Sequence, residues 1–266
     1  MLNNERELTG GNMSSVTTDG SIVYKDAKPQ STTIHRLLKH LESYNIRHIT
    51  APKALGFDNA GREMLSYVPG NTIEDYPPTD NISDRINIVR HTALMLHDFH
   101  DATVSFVRTP EDIWFLKYDG DLPKEVICHN DFAPYNITFC DNLPIGLIDF
   151  DTACPAPREW DIAYAVYRFV PLSQQVYCNK SGTYRDYDHD KDMAERKILL
   201  KEFLNVYGFG MDIKKFVIKR LTALVNLFDE ECEKNNPAFI KMKAEGHQDF
   251  YIKEIDFISE NFKDWM

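Results

Sequence analysis

Residues 128–151 read CHNDFAPYNITFCDNLPIGLIDFD, and they constrain the fold more than any other stretch. Two strand-like apolar runs, NITFC (136–140) and PIGLIDF (144–150), flank the turn formers DNLP, which predicts a hairpin. If it is symmetric about Asn142 and Leu143, Cys140 faces Ile145, Phe139 faces Gly146 and Ile137 faces Ile148. The same ladder puts Asn136 opposite Asp149. Directly opposed side chains stand about 5 Å apart at Cβ. An amide oxygen and a carboxylate would then meet at the open end of the hairpin. Both are hard oxygen donors of the kind Mg²⁺ takes. Asp131 lies on the loop entering the first strand, a loop that Pro134 stiffens.

Phosphoryl transfer needs metal-bridged phosphates and a carboxylate that orients the attacking hydroxyl and accepts its proton. Kinases supply these with an aspartate, an asparagine five residues on and a second aspartate downstream. Asp131, Asn136 and Asp149 have that spacing. Turn and cap duty is the plain alternative for the three residues. An isolated HxD would be weak evidence; HxDxxxxN followed by a strand and IDFD is much more specific.

The segment HNDFAPYN…GLIDFDTACPAPREWDIAYAVYRF resembles the aminoglycoside phosphotransferase and choline kinase-like family, most closely its trifolitoxin immunity-like branch. The resemblance extends over LTGGNMSSV, GREMLSYVPG and the C-terminal helices. It implies an α+β, protein-kinase-like two-lobed fold with a small β-rich N-lobe and a larger helical C-lobe. It also implies a small-molecule kinase that moves the γ-phosphate of ATP or GTP to a hydroxyl. In that reading Asp131 is the catalytic aspartate, and Asn136 and Asp149 bind Mg²⁺. Gly10, Gly11, Asn12 and Ser14 form the loop over the triphosphate, and Lys25 contacts the α- and β-phosphates. Backbone groups of Ser66 and Val68 pair with the nucleobase, and His129 braces the catalytic loop. The family's glutamate partner for the lysine is missing from the start of the first helix, where Thr33, Ile34 and His35 stand. Glu42 comes about two turns too late. A kinase-like nucleotide binder without turnover, acting in immunity or regulation through a peptide or protein, is the rival expectation.

Along the chain, 21–26 reads as a strand, 32–45 as a helix capped by Ser31 or Thr32, and PKALGFD and GREMLSYV as strands around a turn at 58–61. The proline-bearing stretch after Pro69–Gly70 marks a boundary. It separates a nucleotide-clamping lobe, 1–70, from a catalytic and acceptor-binding lobe, 71–266. Helices are expected at 83–102, 159–170, 190–207, 212–235 and about 247–262, with a polar loop over 171–189. Asp161, near the start of a helix, is read as a brace for the catalytic loop. Asp151 shares a strand face with Asp149 and is read either as an aid to the metals or as a surface residue.

The chain has 266 residues, with 30 Lys/Arg against 41 Asp/Glu. The first seventy hold 8 and 7 of these, leaving 22 and 34 for the rest. This balance argues against general nucleic-acid binding; solvated surface charge for solubility is one reading, and an acidic cleft that would concentrate a cationic small-molecule acceptor is the equal alternative. Asp229, Glu230 and Glu233, in FDEECEK, are its candidate contacts; a solvated helix face is the plain reading. His97 and His100, at i and i+3, have zinc-like spacing without a clear third ligand, so a structural role is favoured. DYDHDKD (186–192) lacks the glycine and glutamate of a calcium loop. No apolar run approaches a membrane span, so no membrane partner is expected. Five scattered cysteines without a CxxC pair fit a reducing cytoplasm. Nothing in the residues separates ATP from GTP or sets an oligomeric state.

Overall fold

The computed structural model describes residues 5–8, 16–44, 46–73, 79–179, 181–210 and 212–266. The chain forms two compact units, residues 1–74 with 94–161 and residues 75–93 with 162–266.

The first unit begins with β1 (Arg6–Glu7), β2 (Val16–Thr18) and β3 (Ile22–Lys25). After α1 (Ser31–Ser43) come β4 (Ala54–Phe57) and β5 (Glu63–Ser66). The strands make one antiparallel sheet in the order β1-β2-β3-β5-β4. Two aspartates close its turns through side-chain bonds to the backbone. Asp19 accepts from the amides of Ser21 and Ile22, and Asp58 from those of Ala60 and Arg62. Ile34, Leu37, Leu38 and Leu41 form the buried stripe of α1, which packs against β4. Gln30, not Ser31 or Thr32, occupies the N-cap position. Ser31 is instead the first helical residue; its hydroxyl accepts from the amide of Lys28 and donates to Glu63.

One unit boundary, at 74/75, comes after β5; the other two fall inside α2 (Ile82–Thr103) and α3 (Arg158–Phe169). Between these helices lie β6 (Val126–Cys128), β7 (Ile137–Cys140), β8 (Leu143–Leu147) and β9 (Cys154–Ala156). β7 and β8 form the expected hairpin, but in a different register. Cys140 faces Leu143 and Phe139 faces Pro144; after a bulge, Thr138 faces Gly146 and Ile137 faces Leu147. The turn is the two-residue Asp141–Asn142, both at positive φ, rather than a four-residue DNLP loop. Two consecutive left-handed residues make the tight turn that matches strand twist, and Asp and Asn tolerate it. The segment after β5 lies against this hairpin, where Asn71 and Phe139 exchange backbone hydrogen bonds; Thr50, from the segment before β4, bridges to Gly146. A Cβ at Gly146 would stand 2.4 Å from Thr138 Oγ1 and 2.5 Å from Val68 Cγ1, so the close approach requires glycine.

The second unit is helical apart from a hairpin of β10 (Gln175–Cys178) and β11 (Thr183–Asp186). This hairpin lies where a polar loop was expected; its exposed polar faces hide the strand signal. α4 (His189–Tyr207), α5 (Ile213–Glu233), α6 (Pro237–Ala244) and α7 (His247–Trp265) follow. Leu199, Phe203, Val217, Leu221, Ile258 and Phe262 belong to their core. Pro237 does more than end a helix: Asn236 caps its amide end and Pro237 starts α6. Among the described residues no helix is long and apolar enough to cross a membrane.

Candidate functional site

Two nested pairings build the site. β6 pairs with β9, Cys128 facing Cys154, outside the β7–β8 hairpin. The chain from 126 to 156 therefore folds back on itself. Residues 129–136 on the outward path lie beside 148–153 on the return. Asn130 holds the two paths together through its amide nitrogen, donating to the carbonyls of Cys128 and Thr152. The Thr152 hydroxyl donates to the His129 carbonyl at 2.9 Å. Asn130 has φ 65°, a left-handed conformation that asparagine accepts where most residues resist it.

The observed register corrects the expected rung. The amide of Ile148 donates to the Asn136 carbonyl, so Asn136 is level with Ile148, not Asp149. In a continuous strand this one-residue slip would turn Asp149 to the opposite face. The chain avoids that outcome because Asp149 is left-handed (φ 59°, ψ 70°) and starts a 3-10 turn. Its carboxyl has Asp151, Lys25, Asp131 and His129 as electrostatic neighbours. Desolvation and repulsion from Asp151 and Asp131 push that carboxyl up, and Lys25 opposes them only in part. The side chain is still 54% exposed, so the like charges are the firmer cause.

Asp131 is held at four points. Tyr135 donates its hydroxyl to Oδ1 at 2.6 Å, and Asn136 donates its amide nitrogen to Oδ2 at 2.8 Å. The same amide reaches the Asp131 carbonyl at 2.9 Å, and the Asp131 amide donates to His129 Nδ1 at 3.3 Å. His129 in turn places Nε2 3.0 Å from the Ile148 carbonyl. Nδ1 accepts and Nε2 donates, which fixes the tautomer. With its nitrogen committed to Asp131, Asn136 has its carbonyl oxygen as the end that suits a cation.

Asp161 is fully buried beneath this loop. Its oxygens accept the amides of His129 at 2.6 Å and Asn130 at 2.9 Å, and His100 Nε2 at 3.2 Å. Burial would push its pKa up, but these bonds push it down, so it is a charged brace. Burial dominates the other way at His100 and pushes its imidazole down. His100, Cys128 and Asp161 do stand close enough to share a metal. Yet Asp161 is spent on backbone amides and Cys128 donates to the Pro157 carbonyl. His97 turns to Asp98 and Asp101 instead.

Lys25 ends β3 as expected but is no solvated edge residue; it is 6% exposed. Its ammonium lies 2.5 Å from Asp151, 3.5 Å from Glu63 and 3.8 Å from Asp149. Burial alone would push its pKa down, but the three carboxylates outweigh burial and push it up, so it stays charged. Asp151 is buried against Lys25 and Lys28, which excludes the surface role; the two lysines hold its carboxyl down against burial. Glu63 was missed in the sequence. It sits opposite Lys25 on the neighbouring strand, fully buried, with His35 Nε2 2.9 Å from its second oxygen. The helix thus offers a histidine where a glutamate was sought, and the carboxylate comes from the sheet. The alternation of EMLS, with Glu63 and Leu65 on the buried face, was the available signal.

Ser66 pairs through its amide with the Lys53 carbonyl, and Val68 is buried. Gly10, Gly11, Asn12 and Ser14 lie outside the described residues. In the second unit Asp229 is paired with Lys243 at 2.6 Å, while Glu230 and Glu233 are exposed on α5. The acidic residue of that run that turns inward is Glu231, bonded to Lys234 and Asn236.

The donors around Asp131, Asn136 and Asp149 are carboxylate and amide oxygens, with mutually repelling carboxylates beside a lysine. This chemistry fits a hard divalent cation and phosphate together.

The phosphotransferase enzyme family profile matches residues 110–188, which include Asp131, Asn136, Asp149 and Asp161 but not Lys25 or Glu63. The chain is 31% identical over 246 residues to a trifolitoxin immunity protein of Rhizobium leguminosarum bv. trifolii, covering 87% of this chain and 85% of that protein. Among solved structures, a GDP complex of an aminoglycoside 2′-phosphotransferase superposes with TM-score 0.61 at 12% identity, covering 100% of this chain and 95% of the other. A gentamicin complex of another aminoglycoside phosphotransferase gives 0.58 at 14%, over 96% and 91%. A choline/ethanolamine kinase family protein of Mesorhizobium loti gives 0.54 at 11%, over 97% and 92%. These likenesses establish the α+β, protein-kinase-like fold.

Proposed function

The chain belongs to the phosphotransferase enzyme family, and on that footing we propose that it transfers the γ-phosphate of ATP or GTP to an alcohol on a small acceptor. The observation that carries this reading is the Asp131 carboxylate, fixed by two donors and facing the same charged neighbourhood as Asp149 and Lys25. Asp131 orients the acceptor hydroxyl and takes its proton as the new phosphorus–oxygen bond forms and the γ-phosphorus bond to the leaving nucleoside diphosphate breaks. Lys25, held charged by Asp151 and Glu63, meets the phosphates. Asn136 and Asp149 are the residues that would hold Mg²⁺, which when bound neutralises charge on the phosphates. Residues 1–70 clamp the nucleotide: Gly10, Gly11, Asn12 and Ser14 cover its phosphates, and backbone groups of Ser66 and Val68 meet its base. Residues 71–266 carry the base and the acceptor. The acidic balance of that part supports a cationic acceptor, an aminoglycoside-like sugar or an amino alcohol, with Asp229, Glu230 and Glu233 as contacts. Asp229 would first have to release Lys243. Five scattered cysteines without a CxxC pair support a reducing cytoplasm as its compartment.

A screen of sugars and amino alcohols with Mg·ATP and Mg·GTP, read by mass spectrometry, tests this reading. An acceptor that gains one phosphate with wild type and none with Asp131→Asn is expected.

The 31% relative favours a second reading, in which the chain binds nucleotide without turnover and confers immunity by binding a peptide or protein. Lys25 has buried carboxylate partners, so the missing helix glutamate no longer argues for it. Thermal stabilisation by Mg·ATP or Mg·GTP with no phosphate transfer to any acceptor or to water would select this alternative.

A further inference from the structure

The residue before Asn136 has no part in the reaction as drawn so far, yet it makes the shortest contact to the proposed base. Tyr135 lies in the 3-10 turn Pro134–Asn136, which Pro134 opens and an Asn136-to-Ala133 backbone bond closes. That turn sends two successive side chains back to Asp131, the Tyr135 hydroxyl to Oδ1 at 2.6 Å and the Asn136 amide to Oδ2 at 2.8 Å.

We propose that Tyr135 is a positioning residue for phosphoryl transfer: its hydroxyl and the Asn136 amide grip the two carboxylate oxygens of Asp131 and fix the plane in which Asp131 meets the acceptor alcohol. The inference rests on the phosphotransfer reading above. The carboxylate torsion of an aspartate is broad and has no sharp rotamer of its own. One donor leaves the group free to swing about the oxygen it holds; two donors, one on each oxygen, stop the swing. Each carboxylate oxygen accepts more than one hydrogen bond, so Oδ1 keeps a lone pair for the acceptor's proton. The half-buried ring of Tyr135 also makes it part of the surface beside the base. Misorientation of a catalytic group is costly even when the group is still present.

Phosphate release from Mg·ATP, with water as acceptor, is measured for wild type, Tyr135→Phe, Asp131→Asn and the double variant. Tyr135→Phe should lower kcat about ten-fold. KM for Mg·ATP should stay within about two-fold of wild type. In the Asp131→Asn background the same change should have no effect, because Tyr135 acts through Asp131. A wild-type kcat for Tyr135→Phe, or an equal loss with Asp131 already replaced, would overturn the role of Tyr135 alone. Equal release by wild type and Asp131→Asn would remove the phosphotransfer reading, and this inference with it. Should Tyr135→Phe fold poorly, a fluorinated tyrosine at 135 gives a stronger donor of the same shape. An altered kcat below the phenol's pKa is then expected, and an unaltered one contradicts the role.

Discussion

Lys25 is surrounded by Asp151, Glu63 and Asp149, and its removal leaves Glu63 and Asp151 buried without their shared cation. Breaking such a pair costs about 3–5 kcal/mol. His35 and Lys28 remain as partners, so Lys25→Met should fall near the lower end in a urea melt and abolish stabilisation by Mg·ATP. Glu63→Gln removes one of three carboxylates, and a smaller loss of both is expected. A second residue-level prediction concerns acid. The ring of His100 is held below the ordinary 6.5 chiefly by burial, against Asp161. The unfolded chain then takes up a proton before the folded one does. Stability is full above the ordinary value and drains as pH falls toward the folded value, by up to about 1.4 kcal/mol per pH unit. Asp161, with its lowered pKa, contributes stability that is lost further down, as pH falls through its folded value. Urea melts between about pH 7 and about pH 5 should show the first slope, and His100→Gln should flatten it. Asp131, Asn136 and Asp149 were legible because their residue types do not suit a core beside apolar runs, and Asp161 through its place near the start of a helix. Glu63 and Tyr135 were not: a lone glutamate on a short strand and a tyrosine beside a proline look ordinary until their partners are seen.

The element that carries the site is the fold-back from β6 to β9. Its hairpin was legible from two apolar runs around a turn; its register was not. The spacing left the turn residues open, and the pairing slipped by one or two positions once Asp141–Asn142 made a two-residue turn with a bulge behind it. The left-handed backbone at Asp149 then restored what the slip would have lost, which no periodicity argument foresees. β9 was missed because Pro155 interrupts a three-residue strand. Gly146→Ala tests the tight seat of this hairpin. Its new methyl meets Thr138 and Val68 inside contact distance, and a loss of about 1–3 kcal/mol by chemical denaturation is expected. Turnover should fall too, because the same hairpin carries Asn136 and leads into Asp149.

For the whole molecule, the α+β class and the sequence of sheet then helices were readable from where hydrophobic period two gives way to period 3.6. Two of the three unit boundaries, inside α2 and α3, carry no composition change to mark them; the third, at 74/75, lies in the proline-bearing stretch after Pro69–Gly70. Among the described residues no disulfide joins any two of the five cysteines, so Tm should be the same with and without reductant. The central claim is that one folded-back segment supplies both a proton acceptor and a nucleotide anchor, and that these are separable. The direct measurement pairs thermal stabilisation by Mg·ATP with phosphate release for wild type, Asp131→Asn and Asp149→Asn. Asp131→Asn should keep the stabilisation and lose release by about a hundred-fold or more, whereas Asp149→Asn should lose both. Wild-type release by Asp131→Asn, or undiminished stabilisation of Asp149→Asn, would contradict the account.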